Sequence, residues 1–525
     1  MKTNNSFIFK LFNFCIAAAA LLLVSCDSKL DIEKHGNMGS MDTYYSTDEN
    51  IMTGTASLYL EVKSAYYNWL FVKNLLSDDV WCGGGQRGDN GEMEKLNEYS
   101  FDSNHSMIES LYKGFYGIIY KANLIIDKTD SESAVAKRAI NEAKVFRALG
   151  HFELVTLFGT APVVDHLLTP DEYQQGNSTP EQLYASVEKD LTEAINSGTL
   201  PSKNNANDAE TGIRATKEFA QALLGKAYLF QGKNSEAAAM LENVISSNKY
   251  ALFAGEYDAQ FHAAANNNCE SLFELQKRND PEQVWNTFDM VYIMQGWRTQ
   301  WLSYSGDAAI LAQGNYGFFN PRKSLYDAFV EWEGEDGYRK NKTLWNYGQA
   351  KAFGVQLIPG ATLYGDEGYF FWKNQAYNVD CAIDMSYFQV GQFIDLKVMR
   401  YAEVLLLAAE ANLQAGNSAK ALEYINQIRT RAKETPLTAV TLNDIKMEKR
   451  LELCNEGVRY QDLVRWGDAK AAMGNQGKDV PAFTGTDVQW NWHNSNYGFQ
   501  DRNALLPIPL KELELNPNMV QNSGW

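Results

Sequence analysis

The sequence is poor in the residues that announce the commonest chemistries. Its 525 residues hold six cysteines and six histidines. None of the histidines (His35, His105, His151, His166, His262, His493) falls in H-E-x-x-H or another metal-ligand spacing, and no C-x-x-C pair occurs, so a zinc site has no sequence support and no metal is expected. G-x-S-x-G and the Walker pattern are missing as well, which removes the hydrolase elbow and the P-loop. Basic residues are outnumbered: 47 Lys plus Arg face 65 Asp plus Glu, a net charge of −18 with no basic cluster. Such a surface repels phosphate backbones, so nucleic acid is not an expected partner. Apolar residues at 45% and charged residues at 21% exclude wholesale disorder. What the chain has in abundance is rings, 13% of all residues.

Long apolar runs are also scarce, and the longest is informative. Leu11–Val24 follows Lys2 and Lys10 and falls short of the roughly 20 residues that cross a membrane, so it reads as the core of a signal peptide over residues 1–25. Leu23-Val24-Ser25-Cys26 has the form of a bacterial lipobox, in which Cys26 is acylated on its thiol and on its new amine. Several acyl chains on one residue give the stable anchoring that one chain does not. A secretory signal with an incidental cysteine is the competing reading. Residues 26–48 then form a polar tether and the start of the mature chain. Cys82, Cys269, Cys381 and Cys454 remain; three pairings are possible, and free buried thiols are expected because a chain this long needs no disulfide scaffold.

Two segments repeat one helix-pair design. Ala227, Leu229, Gly232, Ala237, Leu241 and Val244 match Ala411, Leu413, Gly416, Ala421, Ile425 and Ile428 at every interval. Small residues allow close helix approach, glycine serves the turn, and i, i+4 positions face inward, the spacing of tetratricopeptide-like repeats. Further helices are predicted over Leu111–Ile126, over Glu142–Phe158 and from Thr179, where Pro180 and Gln182 complete a capping box. The fold class is therefore mainly α: four helix pairs, with residues 49–250 as an N-terminal repeat region and 396–525 holding the last pair. Between them, residues 251–395 form an irregular, loop-rich insertion, and half the tryptophans fall in 281–372.

Rings in loops on a rigid scaffold suit recognition, because flat indoles match the C–H faces of sugars and polar neighbours bind hydroxyls. Trp297 and Trp301 sit in Gln295-Gly296-Trp297-Arg298-Thr299-Gln300-Trp301, and Trp81 sits between Asp78-Asp79 and a glycine-rich stretch. With Trp285 they form the expected ligand set: Trp81, Trp285, Trp297 and Trp301 for stacking, and Asp78, Asp79 and Arg298 for hydroxyls. Any single tryptophan is more often core. Gly83, Gly85 and Gly88 spell G-x-G-x-x-G but are placed after a helical segment, so no dinucleotide cofactor is expected. The acidic run Glu331, Glu333, Glu335 and Asp336 lacks calcium-loop spacing and reads as a solvated turn.

Across nearly the whole mature chain the sequence resembles the SusD/RagB family of outer-membrane nutrient-binding lipoproteins. The resemblance rests on ordered pieces: Leu76-Ser-Asp-Asp79, Leu111-Tyr-Lys-Gly-Phe-Tyr116, Glu142-Ala-Lys-Val-Phe-Arg-Ala148, Ala220-Gln-Ala-Leu-Leu-Gly-Lys-Ala-Tyr228 and Met399-Arg-Tyr-Ala-Glu-Val-Leu-Leu406. The C-terminal signature is the most specific: Glu448-Lys-Arg-Leu-Glu-Leu453, Glu456-Gly457, Asp462-Leu-Val-Arg-Trp-Gly467, Leu506-Pro-Ile-Pro509 and Gln521-Asn522. Ser523 and Trp525 depart from the usual ending, and residues 250–395 match poorly. The resemblance implies a SusD-like fold and no catalysis. It also implies a cell-surface position, lipid-anchored in the outer membrane, and delivery of a captured glycan to a SusC-like TonB-dependent transporter. A neutral plant glycan such as a β-glucan or hemicellulose is the expected ligand. A peptide importer's binding lipoprotein is the second reading, and an endo-acting glycosidase the third.

Overall fold

The structure, a computed structural model, describes residues 41–288, 290–384 and 389–525. The expected signal segment and Cys26 lie outside the described residues. Eight helices carry the fold: α1 (Asp48–Leu75), α2 (Ser106–Lys128), α3 (Ala134–Phe158), α4 (Pro180–Asn196), α5 (Lys217–Phe230), α6 (Asn234–Ser246), α7 (Tyr401–Gln414) and α8 (Ser418–Arg431). Each packs on the next, so α6 meets α7 although residues 247–400 separate them in sequence. The molecule is mainly α, and the local chemistry explains the repeat design. Ala227, Ala237, Ala411 and Ala421 are fully buried between helices, and a Cβ on Gly225 would stand 2.6 Å from Leu241. Gly232 and Gly416 turn the chain at φ +74° and +87°, where other residues are strained. At the start of α4, the Thr179 hydroxyl accepts the Gln182 N–H at 3.3 Å and the Gln182 side chain accepts the Thr179 N–H at 2.9 Å.

Helix α1 carries little periodic signal because its end, Leu70–Leu75, is enclosed on every side and leaves no polar stripe. Of thirteen short strands among the described residues, seven frame the helical junction and the candidate site: β1 (Val80–Gly83), β2 (Ser271–Leu275), β3 (Phe318–Pro321), β4 (Leu363–Tyr364), β5 (Leu396–Arg400), β6 (Asp479–Phe483) and β7 (Val488–His493). The antiparallel β2–β5 ladder returns the chain to the helical stack, closed by the Tyr401 N–H donating to Glu270 O at 2.7 Å. A buried ionic cluster holds the same junction. Arg400 bonds Glu270 and Glu452 at 2.6 Å and Glu456 at 2.7 Å, while Arg339 bonds Glu333 and Glu448 at 2.7 Å. Glu333 is thus an enclosed ion-pair partner rather than part of a solvated turn; three-dimensional proximity to Arg339 overrides its acidic sequence neighbours.

The loop-rich region has a hydrophobic core of its own, built around Trp297, Leu311, Val355, Phe370, Trp372 and Phe483. Trp345 stacks on Trp372 at 4.0 Å with 11° between planes. Short strands lack the wide aliphatic stripe of a helix, so large rings fill the volume. Much of the tryptophan density in this part of the sequence is therefore core. The four cysteines in the described residues are all free: Cys82 and Cys454 are buried, Cys269 and Cys381 half-buried.

Candidate ligand-binding face

Strand β1 runs antiparallel to β3, pairing Trp81 with Asn320 and Gly83 with Phe318. Beyond it the chain turns sharply through residues 84–90. Gly83 adopts φ +77°, and a Cβ there would meet Gly317 O at 2.3 Å, so only glycine lets the two backbones close. The Gly85 N–H then donates to Asp89 Oδ2 at 2.7 Å, and the Gly88 N–H to Glu94 Oε1 at 2.8 Å. These bonds fix the turn, and its preceding element is the short strand β1, not the helix expected from the sequence. Because β1 belongs to a two-stranded antiparallel ladder, the turn still differs from the parallel βαβ unit of a dinucleotide fold.

Two arginines hold this turn, Arg87 within it and Arg298 packed against it. Arg298 packs against Gly85, donates to Tyr316 O at 2.8 Å and to Gln300 Oε1 at 3.2 Å, and lies 3.5 Å from Asp89. Its guanidinium sits 5.7 Å from the Trp301 ring, and Tyr316 beside it is 40% exposed. Arg87 pairs with Glu98 at 3.0 Å and Glu94 at 3.6 Å, reaches the Tyr364 hydroxyl at 3.3 Å and stacks 4.0 Å from the Trp492 ring. Burial raises the carboxyls of Glu94 and Glu98 despite that guanidinium.

The most exposed ring joining this face is absent from the set expected from the sequence. Trp490 on β7 is 51% exposed and tilts 65° against Trp81 at 6.1 Å. Strand β7 pairs with β6, and β6 with β4, so the C-terminal hairpin delivers Trp490 and Trp492 to β1 and its turn. A register shift between Val480 and Pro481 sets Trp492 opposite one and Trp490 opposite the other. One meets Trp81 and the other Arg87. A signal was present: Gln489-Trp490-Asn491-Trp492-His493 alternates rings with polar residues, as a half-buried strand does.

The expected ligand set divides. Arg298 and Trp301 lie on this face, Trp301 half-buried. Trp285, at 63% exposed, rests against Phe288 instead of joining these rings. Trp297 is corrected outright: it is 4% exposed, inside the loop-region core, with its indole N–H donated to Phe371 O at 3.0 Å. Trp81 is 6% exposed and donates to Glu367 at 2.8 Å, so it lies beneath the face. Asp78 and Asp79 are likewise interior. Burial alone would raise Asp78, but Arg450 at 3.3 Å and Arg459 at 2.8 Å hold it low. Asp79, at 2.8 Å from Arg450, is raised by burial. Neither carboxylate reaches the outer face, because the turn-forming Ser77-Asp-Asp tucks under β1 to meet those arginines.

At this face the chain presents rings beside hydrogen-bonding groups whose charges are matched in pairs. That arrangement is chemically suited to a neutral hydroxylated surface. Comparison with known proteins points the same way. A family described as "SusD family" matches residues 362–525, and one described as "Starch-binding associating with outer membrane" matches residues 43–229. A SusD-like protein of Bacteroides ovatus is 25% identical over 86% of this chain and 81% of its own. A solved laminarin binding SusD-like protein superposes with a TM-score of 0.77 at 28% identity, covering 92% of this chain and 100% of that one. Surface glycan-binding protein A from Bacteroides fluxus superposes with a TM-score of 0.74 at 25% identity, over 91% and 100%. Matches at both ends of the chain and likeness of fold along nearly all of it agree: the chain belongs to the SusD/RagB family.

Proposed function

We propose that this protein captures a neutral glycan at the outer-membrane surface, without cleaving it, and passes it to a SusC-like TonB-dependent transporter. In this reading Cys26 carries the lipid anchor. The observation that carries the ligand class is the pairing of exposed rings with neutralised arginines. Trp490 and Tyr316 face outward, while Arg298 is matched by Asp89, and Arg87 by Glu94 and Glu98. A sulfated or uronic polymer would have to displace those carboxylates and approach a chain of net charge −18. A neutral sugar stacks on the rings and bonds to the amides and guanidiniums at no such cost.

A β-glucan is the narrower proposal, supported by the likeness to a laminarin binding relative at 28% identity. That relative and the Bacteroides fluxus protein are both described by glycans and neither by a peptide. Calorimetry of the mature chain against laminarin, xylan, alginate and a tryptic peptide digest tests the reading. Laminarin or xylan should bind, alginate and peptides should not, and bound polymer should release no reducing ends. Binding confined to the peptide digest, or release of reducing ends, overturns it.

A further inference from the structure

Beneath the exposed Trp490 lies a layered stack. Arg322, 9% exposed, places its guanidinium 3.5 Å from the Trp81 ring centroid. Its Nε donates to Val80 O at 2.9 Å and an NH2 group to Asn97 Oδ1 at 3.3 Å, which fixes its plane. Trp81 is held on its edge by Glu367, whose Oε2 accepts the indole N–H at 2.8 Å and the Lys323 N–H at 2.8 Å. That second bond ties the stack to the start of the helix Lys323–Glu333. Trp490 then meets the Trp81 ring of this assembly at 6.1 Å with 65° between the planes.

We propose that Trp81, Arg322 and Glu367 are positioning residues that set the angle of Trp490, the outermost ring of the ligand face. The proposal rests on the glycan-binding reading for its consequence, not for its geometry. A cation over one face of an indole leaves the ring's periphery more positive, which strengthens contact with a neighbouring π face set at a steep angle. Desolvation lowers the Arg322 pKa to about 10, so the guanidinium keeps its charge at neutral pH inside the fold. Asn320, opposite Trp81, donates to Gly365 O at 3.0 Å and holds β4 of the same hairpin sheet, so the platform is braced from both strands. This accounts for a buried tryptophan and a buried arginine directly under a surface ring: they make a mobile side chain into a fixed plane.

The test uses the full mature chain labelled with 5-fluorotryptophan. The Trp490 fluorine signal is assigned by its loss in Trp490→Phe, then followed in Trp81→Phe, Arg322→Met and the milder Glu367→Gln, alongside laminarin affinity. Trp81→Phe and Arg322→Met should shift and broaden the Trp490 signal and weaken laminarin about three- to tenfold. Glu367→Gln should do so less, because an acceptor remains. A role confined to stability would lower the melting temperature and leave the Trp490 signal and the affinity of the folded protein unchanged; that result overturns the proposal. Should Trp490→Ala bind laminarin like the parent, the glycan reading of this face fails, and the fluorine signal alone decides the positioning claim.

Discussion

Truncating Trp490 to alanine isolates the ligand face from the fold. An indole side chain offers about 250 Å² to solvent, and the 51% left exposed here is about 125 Å². A sugar ring covering roughly two-thirds of that removes about 80 Å² from water. At about 25 cal/mol per Å² this is worth about 2 kcal/mol, or about thirtyfold in Kd. Because the ring is half outside the core, its loss should move the melting temperature by only a few degrees. Calorimetry with laminarin, paired with a thermal melt, reads both quantities. Trp285→Ala is the control: that ring is more exposed at 63% but its ring contact is with Phe288 rather than with Trp81 or Trp490, so affinity should change less than about twofold. An unchanged Kd for Trp490→Ala, or an equal loss for Trp285→Ala, refutes the reasoning.

Three other substitutions probe the interior. Trp297→Ala should destabilise the protein by about 3–5 kcal/mol in urea unfolding, because it empties the centre of the loop-region core and orphans Phe371 O. Arg400→Met should cost about 3–5 kcal/mol, since Glu270, Glu452 and Glu456 lose a shared buried partner; the loss should persist in high salt, unlike that of a surface pair. His151 is buried, accepts the Val164 N–H at 3.3 Å, and has its pKa lowered to about 3 by burial and by Arg147. The unfolded chain therefore takes up the proton first as pH falls below about 6.5, and stability drops by about 3 kcal/mol by about pH 4.5. His151→Gln keeps an acceptor but does not titrate, so its stability should fall less between pH 7 and pH 4.5 by that amount; parallel unfolding curves would contradict this.

How far the sequence could be read depended on whether a signal was periodic or relational. The α5–α6 and α7–α8 pairs were legible because small residues and glycines recur at fixed intervals, and the structure buries those alanines completely. The Thr179 capping box was legible because its bonds span three residues. Helix α1 was legible only as a helical segment before the glycine-rich stretch, without bounds, because its end at Leu70–Leu75 is enclosed on every side and carries no amphipathic contrast. Glu333 was misplaced for a different reason: its immediate neighbours are acidic, and its partner Arg339, six residues on, is brought back to it by the turn at Gly334–Gly337.

The ligand face shows the division most sharply. Composition established that rings are abundant and that charge disfavours anionic partners, and both follow from residue identity alone. Which rings face outward did not follow, because exposure is a property of the neighbours that cover a side chain. Trp297 and Trp490 are the same residue type, yet one is 4% exposed and the other 51%. Trp297 is enclosed because short strands converge on it from several directions. Trp490 stays half outside because the C-terminal hairpin covers it on one side only, where it meets Trp81, more than 400 positions earlier in the chain.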